Sequence, residues 1–221
     1  MTRLSRNLGI SPNLSFYDIL DIDDQELLSF IPRPVHALIF LTPSSAYHAT
    51  RDNTEAEMKH ASFPVGPTAV AWFKQTVGNA CGLMAFLHCI CNGAGRSYIP
   101  LDSPFSRFLG EAISLPPVPR ADLVYHSEFL EQAHMDAALA GDTEAPAAEG
   151  HVGFHYIAFV KADDSHLWEL NGGMPGPLDH GILGSEEDAL SPAALDMSVR
   201  SFMRVYPDVR HSIVALGPTV V

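Results

Sequence analysis

Two apolar runs organise the chain. Val35 to Leu41 is hydrophobic on both alternating faces apart from His36, which predicts a central strand covered on both sides. Leu83 to Ile90 is apolar all round and follows Cys81-Gly82, which predicts a buried helix opening near Cys81. Ahead of the strand, Asp23-Asp24-Gln25-Glu26 has the spacing of a capping box before Leu27, Leu28 and Phe30, and Pro32 with Pro34 stops that short helix. Residues 42 to 70 are polar and proline-containing, with no period until Ala71-Trp72-Phe73, so a segment wrapping the surface is predicted. Ser103-Pro104 and Ser191-Pro192 read as N-caps followed by proline and predict helices over 104–114 and 192–206, with a third over 120–134. His151 to Lys161 has a strand pattern, Lys161 to Ser165 a turn, and His166 to Leu170 the returning partner of a hairpin. Ser212 to Leu216 closes the chain as another strand. Between 134 and 152, Ala, Gly, Asp, Glu and Pro dominate, and loops of that length inside a domain are more often lids or binding elements than idle connections.

Composition narrows the class. The 221 residues contain no linker or compositional break, so 1–221 is read as one domain; 47% hydrophobic and 18% charged residues are globular proportions. No stretch approaches the roughly 18 apolar residues of a membrane span. Met1 to Asn7 lacks the apolar core of a secretory signal, so the sequon Asn13-Leu14-Ser15 is not expected to be glycosylated. Cys81, Cys89 and Cys91 form neither a disulfide framework nor a zinc spacing, which points to a reducing compartment: the cytoplasm, with the nucleus also open to it. His151 and His155 share a strand face but lie roughly 13 Å apart, too far for one ion, so neither metal nor cofactor is expected. The net charge of −13 argues against nucleic acid or anionic membrane as partner and favours a basic protein segment; a monomer is expected.

The chemistry centres on Gln75-Thr76-Val77-Gly78-Asn79-Ala80-Cys81-Gly82. A cysteine at a helix N-terminus sits at the positive end of the macrodipole, among amide N–H groups with no intrahelical partner, and its thiolate is favoured. Taken alone, such a cysteine is more often a packing residue. Gln75, one short loop upstream, is near enough to donate to an oxyanion formed where the sulfur attacks. His155 lies in the first strand of the predicted hairpin and Asn171 just beyond the second, so folding about a turn near 163 brings them within hydrogen-bonding reach. That pairing supplies a base and the group that orients it, as in a Cys-His-Asn triad.

These residues carry a resemblance. The chain resembles the ubiquitin carboxyl-terminal hydrolases, short single-domain cysteine peptidases of the papain-like clan. The resemblance rests on Pro32-Arg33-Pro34-Val35, on Gln75 through Gly82, on Phe154-His155 with the hairpin ending His166-Leu167-Trp168-Glu169-Leu170, and on Met174-Pro175-Gly176-Pro177-Leu178-Asp179-His180-Gly181. It implies an α+β fold: a central, mostly antiparallel sheet flanked by helices on both faces, with a knotted backbone. It further implies Cys81 as nucleophile, His155 as base, Gln75 as oxyanion donor with the Cys81 amide, 134–152 as a crossover loop over the site, and Asp18 as a ubiquitin contact. The implied reaction cleaves the bond after the C-terminal glycine of ubiquitin, from small adducts or unfolded tails, through a thioester.

Three positions depart from the family. Asn171 stands where an aspartate is usual, with a hairpin turn one residue longer. The second glycine after it, Gly173, replaces a basic residue. The chain starts within the family's first helix, so an N-terminal strand is expected to be missing. Two other readings stay open: a ubiquitin-binding protein with little or no turnover, and a hydrolase of another ubiquitin-like modifier.

Overall fold

A computed structural model describes residues 1–58, 70–141, 153–207 and 211–220. Its centre is a six-stranded sheet in the order β1-β6-β2-β3-β4-β5, with every neighbouring pair antiparallel. The strands are β1 (Leu14–Ile19), β2 (Ala37–Pro43), β3 (Phe154–Lys161), β4 (His166–Leu170), β5 (Leu178–Ile182) and β6 (Ser212–Pro218). The run expected to be a central strand is β2, held between β6 and β3. Alternate residues of β2 and β3 feed two separate cores, which is why both strands read as continuous apolar runs rather than as alternating ones. Ala37, Ile39, Ala158 and Val160 face one core; Leu38, Phe40, Ile157 and Phe159 face the other.

Helices cover both faces, the α+β arrangement expected. Packed into the first core are α1 (Thr2–Asn7), α4 (Cys81–Ile90), α5 (Pro104–Ser114) and α7 (Glu128–Ala138). The second is closed by α3 (Ser44–Met58), α8 (Pro192–Met197) and α9 (Val199–Val205), with α2 (Gln25–Ser29) contributing Leu28. Phe40, Phe159 and Phe202 form its aromatic centre, with the Phe40 and Phe202 rings 5.4 Å apart. In α4 every residue from Leu83 to Ile90 is buried, as the run's all-round apolar character requires.

Several boundaries differ from the sequence expectation, each for a local reason. Within 42–70 the chain forms α3; 59–69 lie outside the described residues. The inward face of α3 carries Ala46, Tyr47 and Arg51, so a helix that buries an arginine showed no apolar period. The helix expected over 120–134 is two, α6 (Pro117–Tyr125) and α7, because the Ser127 side chain accepts from the Leu130 N–H and starts a new helix. The one expected over 192–206 breaks at Ser198, whose φ of −110° and ψ of −104° separate α8 from α9. Asp24 rather than Asp23 caps α2, accepting from the Glu26 and Leu27 amides, while the Asp23 N–H donates to Asp21. β1, not anticipated, lies along one edge of the sheet and pairs with β6 from Leu14 opposite Pro218 to Ile19 opposite Ile213.

The hairpin that positions the site follows its expected geometry. Ala162 to Ser165 makes the turn, with Ser165 at φ 67° and its N–H donating to the Ala162 carbonyl. The ladder runs from Lys161 opposite Leu167 to Ala158 opposite Leu170. Carried three residues further, this register sets His155 opposite Gly173, with Asn171 its diagonal neighbour.

Candidate active site

Cys81 is the first residue of α4. The preceding loop turns through Asn79, at φ 58°, a left-handed conformation that asparagine tolerates better than most residues. Ala80 is the N-cap and offers no side-chain acceptor, so the first-turn N–H groups of α4, that of Cys81 among them, are not tied up by a cap. Cys81 itself is half-buried, and the Tyr156 ring lies against Gly82, where a Cβ would come within 3.7 Å of the ring. Cys89 and Cys91 are fully buried, and burial pushes their thiols up, that of Cys91 to about 12. They pack rather than react.

His155 and Asn171 meet. His155 Nε2 lies 2.9 Å from Asn171 Oδ1, and the same oxygen accepts the Gly173 N–H at 2.8 Å. A backbone N–H can only donate, so the second bond identifies this atom as the carbonyl oxygen of the side-chain amide. Nε2 must then carry the proton, and the lone pair of the neutral ring is left on Nδ1. Asn171 is 1% exposed and its Nδ2 has no partner among the described residues, whereas its backbone oxygen accepts from Trp72 Nε1 and the Met174 N–H. Burial lowers the His155 pKa, with the Asn171 hydrogen bond and the Glu169 charge pulling the other way. Gly173 leaves the ring's edge open, since a Cβ there would sit 3.9 Å from His155 Cε1. Among the described residues no hydrogen bond joins Cys81 Sγ to His155.

Behind the imidazole is a charged cluster that the sequence did not disclose. Tyr47 packs on the His155 ring, centroids 5.0 Å apart, and one turn along α3 Arg51 donates Nε and Nη2 to the buried Glu169 carboxylate at 3.0 and 2.7 Å. His180 Nε2 donates to the same carboxylate at 2.9 Å. Burial alone would raise the Glu169 carboxyl; the His180 hydrogen bond and the Arg51 guanidinium outweigh it and hold the group below the ordinary carboxylate range. Arg51 also lies over the Phe202 ring at 4.3 Å. The available signal was strand parity: Glu169 shares a face of β4 with the buried Leu167, a position where a lone acid demands a partner.

Gln75 ends a segment without regular secondary structure, residues 71–75, bonded on several sides. Asn92 accepts from the Ala71 N–H at 2.7 Å and donates to the Ala71 and His88 carbonyls, while Arg120 donates to the Trp72 carbonyl at 2.8 Å. The Phe73 N–H donates to His88 Nε2 at 2.9 Å and the Gln75 N–H to the Gly172 carbonyl at 2.9 Å. Gly172 is required by this closeness: a Cβ would fall 2.8 Å from the Phe73 oxygen and 2.9 Å from the Gln75 nitrogen. Gln75 Nε2 donates to the Val77 carbonyl at 3.0 Å, which leaves its second proton free. His88 is wholly buried and held neutral, its pKa lowered to about 3 chiefly by desolvation. Its Nδ1 turns toward the Leu170 carbonyl without completing a hydrogen bond of good geometry.

Comparison with known proteins decides the family. The model for "Ubiquitin carboxyl-terminal hydrolase, family 1" matches residues 1–204. The chain belongs to this family. It is 33% identical over 217 residues to the rat ubiquitin carboxyl-terminal hydrolase isozyme L1, covering 98% of this chain and 93% of that one. It is 31% identical over 211 residues to a ubiquitin carboxyl-terminal hydrolase of Aplysia californica, covering 95% and 92%. The fold matches the catalytic domain of Trichinella spiralis UCH37, solved bound to ubiquitin vinyl methyl ester, with a TM-score of 0.71 at 18% identity over 99% of this chain and 91% of that one.

One of the residues singled out for this hydrolase family lies apart from the site. Asp18 is exposed on β1, three strands from β3 and therefore about 14 Å across the sheet. Of the segment expected to cross over the site, 134–138 complete α7, and 142–152, His151 among them, lie outside the described residues. Among the described residues no group of three potential ligands could hold a metal ion, and no helix is long and apolar enough to cross a membrane.

Two outcomes follow for this member of the family. Replacing Arg51 with Met strands a buried carboxylate with only His180 to answer it, and urea unfolding should show a loss of about 3–5 kcal/mol. His88, neutral in the folded protein down to about pH 3, takes up a proton on unfolding at any pH between that value and its ordinary 6.5. Its contribution to stability is therefore complete above pH 6.5 and lost as pH falls toward 3, with a slope of up to about 1.4 kcal/mol per pH unit. Urea titrations between pH 4.5 and 7 should show that part of the slope removed in His88→Leu.

Proposed function

We propose that this chain is a cysteine-type deubiquitinase in which Cys81 is the nucleophile, His155 the base, Asn171 its orienter and Gln75 an oxyanion donor. The observation that carries the assignment is Asn171 Oδ1 accepting from Gly173 N–H and His155 Nε2 together, which commits the lone pair of the imidazole to Nδ1. The relatives' names and the ubiquitin derivative bound to UCH37 support ubiquitin as the substrate, attacked in this reading at the carbonyl of its C-terminal glycine.

The reaction has two halves. His155 Nδ1 takes the Cys81 proton as sulfur attacks the carbonyl carbon of the terminal glycine, and the carbonyl oxygen becomes an oxyanion met by Gln75 Nε2–H and the Cys81 N–H. The imidazolium returns the proton to the departing amine, the C–N bond breaks, and a thioester remains. Water then attacks it with His155 as base, and the thiol leaves. Each donor to the oxyanion is worth about 2.7–4 kcal/mol. Sulfur and imidazole are not hydrogen-bonded in the free chain, a looseness common in catalytic groups before substrate binds.

The net charge of −13 and the exposed Asp18, Asp21, Asp24 and Glu26 near one edge of the sheet offer a basic ubiquitin surface its counterpart, and Asp18 is the contact we assign there. The protein acts as a monomer in the cytoplasm under this reading.

Ubiquitin vinyl methyl ester tests the assignment. Wild type should form a covalent adduct and Cys81→Ala should form none while still binding ubiquitin. Binding without an adduct by wild type would make the chain a ubiquitin-binding protein, and faster labelling by another glycine-terminated modifier would change the substrate. The acid limb of kcat/KM should lie below the ordinary histidine value of 6.5, because burial disfavours the imidazolium. Asn171→Asp adds an anion that favours it and should move that limb to higher pH, read from the pH profile with a fluorogenic ubiquitin amide.

A further inference from the structure

His88 has no part in the reaction as written, yet it joins the two elements whose spacing sets the oxyanion hole. It stands seven residues after Cys81 on α4, two turns away and only about 20° round the helix, so both side chains rise from one face. Its Nε2 accepts the Phe73 N–H at 2.9 Å, two residues before Gln75, and the Phe73 ring lies beside the imidazole with centroids 5.8 Å apart. Asn92, one turn further along, holds Ala71 through both its backbone N–H and its carbonyl. The segment is thus fastened at 73 to the cysteine helix, at 71 to Asn92 just past that helix's end, and to the Asn171 turn through Trp72 and the Gln75 N–H.

We infer that His88 is a positioning residue for catalysis: through the Phe73 N–H it sets the height of Gln75 above the helix that carries Cys81. The inference rests on the hydrolase reading above and extends it to a residue that touches no substrate. An oxyanion donor works only within about 2.7–3.1 Å of the developing charge, and active-site groups must be held to within about 0.5 Å. The Val77 carbonyl, which receives Gln75 Nε2 in the free chain, belongs to the exposed loop 76–79 and cannot enforce that precision. The buried Phe73–His88 bond can. Imidazole suits this place because it accepts a backbone proton while filling the aromatic space beside Phe73, and Leu fills the space without accepting.

The test compares His88→Leu and His88→Gln, alone and with Gln75→Ala, on a fluorogenic ubiquitin amide, with each preparation normalised by titration of Cys81 with iodoacetamide. His88→Leu is expected to lower kcat about tenfold with KM unchanged, a fraction of the roughly 10²–10³-fold lost with a whole donor. His88→Gln, which restores an acceptor, should recover most of it. In the Gln75→Ala background His88→Leu should cost nothing more, because the donor it positions is gone. Amide exchange at Phe73, read without substrate, should be faster in His88→Leu by about tenfold or more and near wild type in His88→Gln. Losses that simply multiply in the double variant, a shift confined to KM, no loss of kcat, or unchanged Phe73 exchange would each overturn the assignment. Failure of wild type to turn over would instead remove the hydrolase reading, and Phe73 exchange would still decide whether His88 holds the segment.

Discussion

The constraint on which everything else rests is that β2, β3 and β6 are covered on both faces. A sheet with two cores has no surface on which to mount reactive groups, because every residue along its middle strands points into one core or the other. Polar chemistry can surface only where strands begin or end, and there the site assembles: His155 is the second residue of β3, Asn171 the first after β4, and Cys81 the first of the helix lying against β3. The hairpin register links the first two. With Ala158 opposite Leu170, His155 and Asn171 cannot miss each other, and a one-residue slip would turn Asn171 to the opposite face.

The same burial raises the stakes of each polar group inside. Glu169, His88 and Asn92 are in or beside the cores, where an unpaired group costs about 1–3 kcal/mol and a charge considerably more. Each is bonded to a segment distant in sequence: Glu169 to α3 and β5, His88 to Phe73, Asn92 to Ala71. These polar cross-links do what apolar packing does poorly, since side-chain packing tolerates small slides and a hydrogen bond to a fixed backbone N–H does not. Segment 71–75 has no secondary structure of its own and takes its shape almost wholly from them.

This division explains what could be read from the chain. β2, α4, α5 and the β3–β4 hairpin are specified by local pattern: a two-sided apolar run, an all-round apolar helix, a Ser-Pro cap and a turn between alternating strands. The pairing of His155 with Asn171 followed from hairpin arithmetic, and the place of Cys81 at the head of a helix from the apolar run after it. α3 was illegible because its inward face uses Arg51, whose burial makes sense only beside Glu169, over one hundred residues later. The break at Ser127 was illegible for the opposite reason, a single serine cap outweighing a helical period on either side, and the break at Ser198 lies in backbone dihedrals that no residue pattern announces. Glu169 and His88 needed the fold itself, since nothing local tells a buried, answered polar side chain from a solvated one.

The neutral third member of the proposed triad is the feature that most separates this chain from the usual pattern of its family, and the surroundings do not replace the missing charge. A carboxylate about 4 Å from the imidazolium would be worth at most about 4 kcal/mol at an effective dielectric of 20. Glu169 is the nearest candidate to supply it, and its field does favour the protonated ring. Its charge, however, is already committed to Arg51 and His180, so what reaches His155 is the remainder of a nearly neutral cluster. What Asn171 retains is direction. Its oxygen, fixed by the Gly173 N–H, still selects the tautomer with a free Nδ1, and its buried Nδ2, unpartnered among the described residues, is the cost of making that selection without an anion. An orienter that selects a tautomer but barely stabilises the cation leaves the imidazole neutral for more of its time. In the proposed reaction the negative charge that develops must then be met by the uncapped N–H groups of α4, which makes the placement of that helix relative to Gln75 and His155 the quantity that the fold has to hold most closely.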